Sequence, residues 1–131
     1  MRLVVYHGTR RARTILREGF HASGSGEFGP GIYLSEDPGT AAFYALRVAS
    51  GPEPPTVLRA VVTLHKPFVV RKVDWIELTA RRTPRTVQRR LRREGYDGIL
   101  GGELVDYRRQ IIAFEPRAIA EGSVAVHEVL G

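Results

Sequence analysis

Gly29-Pro30-Gly31-Ile32-Tyr33-Leu34-Ser35 is the stretch on which the reading of this chain turns. Two glycines flank a proline, and a tyrosine follows inside a short apolar run. Glycine reaches backbone angles other residues avoid and lets a ligand approach the main chain. Ile32-Tyr33-Leu34 reads as a short strand. Asp37 then caps a helix with Pro38 at its first position, where a missing N–H costs nothing. The helix is expected to run to Ala49. Ala41, Tyr44, Ala45 and Val48 fall at i, i+3, i+4 and i+7, which predicts that Tyr44 lies on its buried stripe. Tyr33 and Tyr44 then approach across one strand-to-helix turn, as the sides of a slot for a flat ring.

The flanking chain is built of short elements. Arg2 to Tyr6 reads as a strand ending at His7-Gly8-Thr9, and Arg10 to Glu18 as a helix with Ile15 and Leu16 as its apolar positions and Gly19 as its stop. A glycine- and serine-rich loop fills 20–28, and a turn-rich connector fills 50–55. Val57 to Leu64 and Pro67 to Val70 read as strands, and Asp74 to Thr79 as a helical turn holding Trp75 in the core. Thr83-Pro84 opens a third helix, with Val87 and Leu91 inward and Gly95 at its end. Tyr96 to Leu100 enters a strand, Gly101 to Tyr107 is a loop, and Arg108 to Phe114 and Ser123 to Glu128 are the last strands. Six or seven strands with a few peripheral helices make the fold class α+β.

A length of 131 residues fits one domain spanning 1–131, by default a monomer. No apolar run approaches the roughly 20 residues needed to cross a bilayer, and no export signal opens the chain, so a cytoplasmic protein with no membrane role is expected. There is no cysteine, which excludes disulfides, thiol nucleophiles and thiolate metal sites. His21, His65 and His127 lack metal-ligand spacing, so no metal is expected. The net charge of +6 rests mainly on arginine and leans toward a nucleic-acid partner. The arginines of 81–93 themselves read as a solvated helix face.

Four pieces stand in order: Tyr6-His7-Gly8-Thr9, the Gly29–Ser35 stretch, Ala41-Ala42-Phe43-Tyr44-Ala45, and Gln110-Ile111-Ile112-Ala113-Phe114-Glu115-Pro116. With Tyr44 eleven residues after Tyr33, they resemble the ADP-ribosyltransferase superfamily. The branch is the one with a His-Tyr-Glu (or Gln) triad, which includes the poly(ADP-ribose) polymerases and small prokaryotic and phage-encoded domains. The turn at Tyr96-Asp97-Gly98-Ile99 also resembles the small prokaryotic members. The resemblance covers nearly the whole chain. It implies two packed, mainly antiparallel sheets with NAD as co-substrate in the cleft between them.

By position, the resemblance gives His7 a hydrogen bond to the nicotinamide-side or adenosine ribose, and Gly8 a backbone bond to the nicotinamide amide, with Thr9 beside them. It sets Tyr33 and Tyr44 on either side of the nicotinamide, with Gly31 in the same wall. It puts Gln110 where the family has its catalytic Glu, so the expected catalytic residues are His7, Tyr33 and Gln110. Two departures stand out. Gln110 is neutral, whereas a carboxylate about 4 Å from a unit positive charge contributes about 4 kcal/mol at an effective dielectric near 20. That argues for transfer of single units over chain elongation. Ala41 stands where the polymerases often have a serine, for which Ser35 or Thr40 is a substitute. Glu103 and Asp106 precede the last-named strand and Arg108 shares Gln110's strand face, so the loop from Gly101 to Arg109 is the expected acceptor contact.

The activity implied is mono-ADP-ribosylation of a protein or nucleic acid, with release of nicotinamide. An NAD glycohydrolase toxin, a non-catalytic NAD- or ADP-ribose-binding module and, last, an RNA 2′-phosphotransferase are the alternatives. A toxin or phage-delivered protein would act in its host's cytoplasm, and a toxin would be met by an antitoxin.

Overall fold

The computed structural model describes residues 1–102 and 109–131. In chain order the elements are β1 (Arg2–Thr9), α1 (Ala12–Glu18), β2 (Ile32–Ser35), α2 (Pro38–Arg47), β3 (Thr56–Thr63), β4 (Pro67–Arg71), α3 (Lys72–Leu78), α4 (Pro84–Arg93), β5 (Gly98–Gly102), β6 (Gln110–Ala113) and β7 (Ala125–Val129). The architecture is mixed α+β, and strand pairing is antiparallel except between β4 and β5. That parallel pair requires a crossover, which α3 and α4 supply.

One correction concerns the sheet. Hydrogen bonds join all seven strands in one sheet, in the order β4-β5-β6-β2-β1-β3-β7, where two sheets were expected. Its seam is between β1 and β2. These strands pair at a single position, Tyr6 with Ser35, whereas β1 pairs with β3 from Arg2 to Thr9. Past Tyr6, β1 therefore has a strand neighbour on one side only among the described residues.

The sheet is buried on both faces around β6. Ile111 and Ala113 of β6 belong to one core cluster with Val5, Leu34 and Leu58. Ile112 and Phe114 belong to a second with Trp75, Leu91 and Phe28. The period-two alternation of a strand places consecutive residues in opposite layers. This double burial explains why β6 reads as a nearly continuous apolar run, whereas β3 has Arg59 exposed on the face opposite Leu58, Ala60 and Val62.

The helix ends follow their local chemistry. Asp37 accepts from the Gly39 and Thr40 amides at the start of α2, and Thr83 accepts from the Thr86 amide at the start of α4. Two apolar assignments fail. Leu16 of α1 is exposed, and Ala12 is the buried residue there. On α2, Ala41 and Ala45 are buried, but Tyr44 is 47% exposed and Val48 is exposed as well. Gly8 supplies the reason. A Cβ on Gly8 would lie 2.0 Å from the Ala41 carbonyl oxygen, so α2 rests almost backbone to backbone on β1. Only small residues fit that contact, and Tyr44 is left at its rim.

Candidate active site

A cavity of about 530 Å³ opens at the seam, a size typical of small-molecule sites. β1 contributes His7, Gly8 and Thr9, β2 contributes Tyr33 and Ser35, α2 contributes Ala41 and Tyr44, and β6 contributes Gln110. Gly31 and Thr40 also line it. Residues distant in sequence thus meet around one space. Glu103, Asp106 and Arg108 lie outside the described residues. Of the expected acceptor loop, Gly101 and Gly102 are part of β5, and the Arg109 guanidinium is held 2.7 Å from Glu36.

Gln110 sits opposite Ser35 and two residues from Ile112, which sits opposite Tyr33. Directly opposed residues share a face, so Tyr33, Ser35 and Gln110 project to the same side. Gln110 Oε1 is buried and has no hydrogen-bond partner, alone among the buried side-chain polar atoms of the described residues. A buried acceptor left unpaired costs about 1–3 kcal/mol. A ligand donor in the cavity would relieve that cost.

His7 is tied to the opposite strand. Its Nδ1 lies 2.8 Å from the Tyr33 carbonyl oxygen. A carbonyl only accepts, so Nδ1 carries the proton. Burial lowers the imidazole pKa, against an opposing effect of that bond. The neutral ring is thereby fixed in one tautomer with a lone pair on Nε2. The Phe20 ring meets it edge to face, with centroids 5.1 Å apart. His7 and Gln110 thus both line the cavity, and each carries an acceptor atom, His7 Nε2 and Gln110 Oε1.

The wall around Tyr33 is held rigidly. The Tyr33 hydroxyl donates to the Gly29 carbonyl at 2.6 Å and accepts from the Phe28 amide at 2.9 Å. Burial, above all, pushes its pKa up to about 12; the Phe28 amide opposes the rise, and Glu27 and Tyr44 add to it. Tyr33 is therefore a neutral phenol at physiological pH, a surface to pack against and no base. Gly29 has φ of 90° and Gly31 of 153°, both in the glycine-favouring region. The space beside them belongs to the protein itself. A Cβ on Gly29 would meet the Gln88 amide at 2.7 Å, and one on Gly31 would meet Ile112 at 2.6 Å. Their lack of side chains serves packing, and Gly31 also lines the cavity.

Gln88 escaped the sequence reading. It is 2% exposed on α4, and its Nε2 donates to the Phe28 and Pro30 carbonyls at 2.9 and 2.6 Å. It clamps the loop that in turn holds Tyr33. Nothing in an arginine-rich helix marks one glutamine as buried, although its i+1 and i−3 relation to Val87 and Leu91 places it on the inward side. Glu27 was also missed. Among the described residues it is the one carboxylate lining the cavity, and it pairs with Lys72 at 3.6 Å.

The remaining hydroxyls are partly engaged. Thr9 Oγ1 accepts from the Arg11 amide, Ser35 Oγ accepts from the Asp37 amide, and Thr40 Oγ1 donates to Asp37. Thr9 and Ser35 still have a proton to give, whereas Thr40 has given its own. Ser35 is therefore the better substitute for a serine at position 41. No cluster of three or more His, Asp or Glu able to hold a metal occurs among the described residues, and no described helix is long and apolar enough to cross a membrane. No protein-family model and no curated protein matches the chain.

Proposed function

We propose that this protein is a mono-ADP-ribosyltransferase that uses NAD as co-substrate and has the ADP-ribosyltransferase fold. The β1–β2 seam would stand where the two halves of that fold part around NAD. The observation that carries the reading is the meeting of His7, Tyr33, Tyr44 and Gln110 at one cavity, with Gln110 Oε1 buried and unpaired.

The chemistry fits the parts. Nicotinamide packs between Tyr33 and Tyr44, and a ribose hydroxyl donates to His7 Nε2 or Gln110 Oε1. The bond between nicotinamide and ribose C1 breaks, its electron pair leaves with nicotinamide, and C1 passes through an oxocarbenium-like state. The acceptor nucleophile bonds to C1 and loses its proton to solvent. Orientation is the main contribution of the residues present. Gln110 offers a dipole to the positive charge but cannot take a proton.

A second reading has its own support. Gln110 is neutral, and the one described carboxylate at the cavity, Glu27, is paired with Lys72. That pattern also suits a module that binds NAD or ADP-ribose without turnover.

The test is nicotinamide release from NAD, alone and with protein or nucleic-acid acceptors, for wild type and Gln110→Glu. Release that depends on the acceptor supports the transferase, and release without one indicates a glycohydrolase. NAD binding with no release from wild type, together with release from Gln110→Glu, supports the binding module.

A further inference from the structure

From Leu78 to Tyr96 the chain carries seven arginines (81, 82, 85, 89, 90, 92 and 93) against one acid, Glu94. Two of the seven are neutralised: Arg90 pairs with Glu94, and Arg92 with Glu115. Arg81, Arg82, Arg85, Arg89 and Arg93 are exposed and take part in no ion pair among the described residues. Arg85, Arg89 and Arg93 are four residues apart, so they line one side of α4 at steps of about 6 Å. Gln88 and Leu91 hold the opposite side against the core.

We infer that this face of α4 docks the phosphodiester backbone of a nucleic acid, without reading its sequence. The outer side of α4 is made of arginine and threonine alone. It has no apolar or aromatic anchor of the kind that carries a protein–protein interface. It also lacks the aromatic platforms that stack the bases of single strands. What it offers is a row of guanidinium forks, which match phosphate oxygens and release counterions on binding.

The face adjoins the cavity. Arg85 Nη2 donates to the Gly24 carbonyl at 2.6 Å, and the neighbouring Ser23 and Ser25 line the cavity. A backbone lying along α4 therefore passes the cavity's lip. That the docked polymer is also the acceptor rests on the transferase reading; the docking does not.

The experiment is fluorescence anisotropy of short labelled DNA and RNA duplexes of unrelated sequences, titrated with the full chain across a series of salt concentrations. Wild type should bind unrelated sequences alike, with a log K against log salt slope of about −4.5 if five arginines contact phosphates. The DNA and RNA arms show which source of the backbone is preferred. Arg89→Ser/Arg93→Ser should flatten the slope by about 2, with an unchanged melting midpoint. Arg13→Ser/Arg17→Ser on α1 removes the same charge and should bind nearly as wild type.

Equal weakening in both double variants would overturn the inference, because net charge alone would then explain binding. No duplex binding at low salt would overturn it too. Tighter binding of poly-glutamate than of either duplex would replace it with an acidic protein partner. None of these results depends on NAD, so this inference and the transferase reading fail separately.

Discussion

The two tyrosine walls of the cavity are built in opposite ways. Tyr33 is fixed at its tip by the Phe28 amide and the Gly29 carbonyl, and Gln88 braces that loop from behind. A Cβ on Gly26 would lie 2.2 Å from the Tyr33 hydroxyl, so the loop also closes tightly over it. Tyr44 projects from α2 with nearly half its surface exposed. Its helix is held by the small residues Ala41 and Ala45 and by Arg10, which donates to the Ala45 carbonyl. One wall is held by hydrogen bonds from its loop, and the other stands at the exposed rim of the cavity. Preorganising one side would reduce the entropy lost on binding a ligand, and the exposed second side leaves the rim open.

The comparison breaks most severely at Gln88. Gln88→Leu should cost about 3 kcal/mol in a denaturant titration, because the Phe28 and Pro30 carbonyls lose their buried donor. An unchanged midpoint would show that the fixed wall does not depend on α4. Tyr33→Phe removes only the hydroxyl and should cost about 1–2 kcal/mol.

The same substitution carries a pH signature. The Tyr33 pKa is raised from 10.0 to about 12 on folding, so its contribution is complete below pH 10 and is lost as pH rises through about 12. Tyr33→Phe should abolish that alkaline loss, as read by melting across the alkaline range. His7 gives the opposite sign. Its pKa is lowered from 6.5, so its contribution is present above that value and fades as pH falls toward its folded pKa. A flat acid limb that His7→Asn does not alter would contradict the neutral ring that burial imposes on His7.

The smallest effect on stability belongs to Tyr44. Tyr44→Ala should change it by no more than about 0.5 kcal/mol, yet reduce the thermal protection given by nicotinamide-containing ligands. A large loss of stability would mean that Tyr44 belongs to the core after all.

How much of this the sequence revealed depended on range. Asp37-Pro38 and Thr83-Pro84 announced their helices because capping chemistry lies within four residues of the helix start. Trp75 reads as a core residue and is 1% exposed, because burying the largest side chain of a helical turn removes much apolar area from water. The gathering of His7, Tyr33, Tyr44 and Gln110 came from motif order, and local pattern alone would not have joined the two ends of the chain. Tyr44's exposure was hidden because helical periodicity gives a stripe but not its depth, and that depth is set by Gly8 on another strand. Gln88 was hidden because its partners are carbonyls roughly 60 residues earlier. The single-sheet connection through Tyr6 and Ser35 rests on one residue pair, which no strand-propensity argument can find.

The most direct test of the central claim is nicotinamide release from NAD by the purified protein beside Tyr33→Ala, with melting curves to establish that the variant folds. The account predicts release by wild type in the presence of an acceptor, and its loss in the folded variant. No release by wild type with any protein or nucleic-acid acceptor, or equal release by the variant, would contradict it.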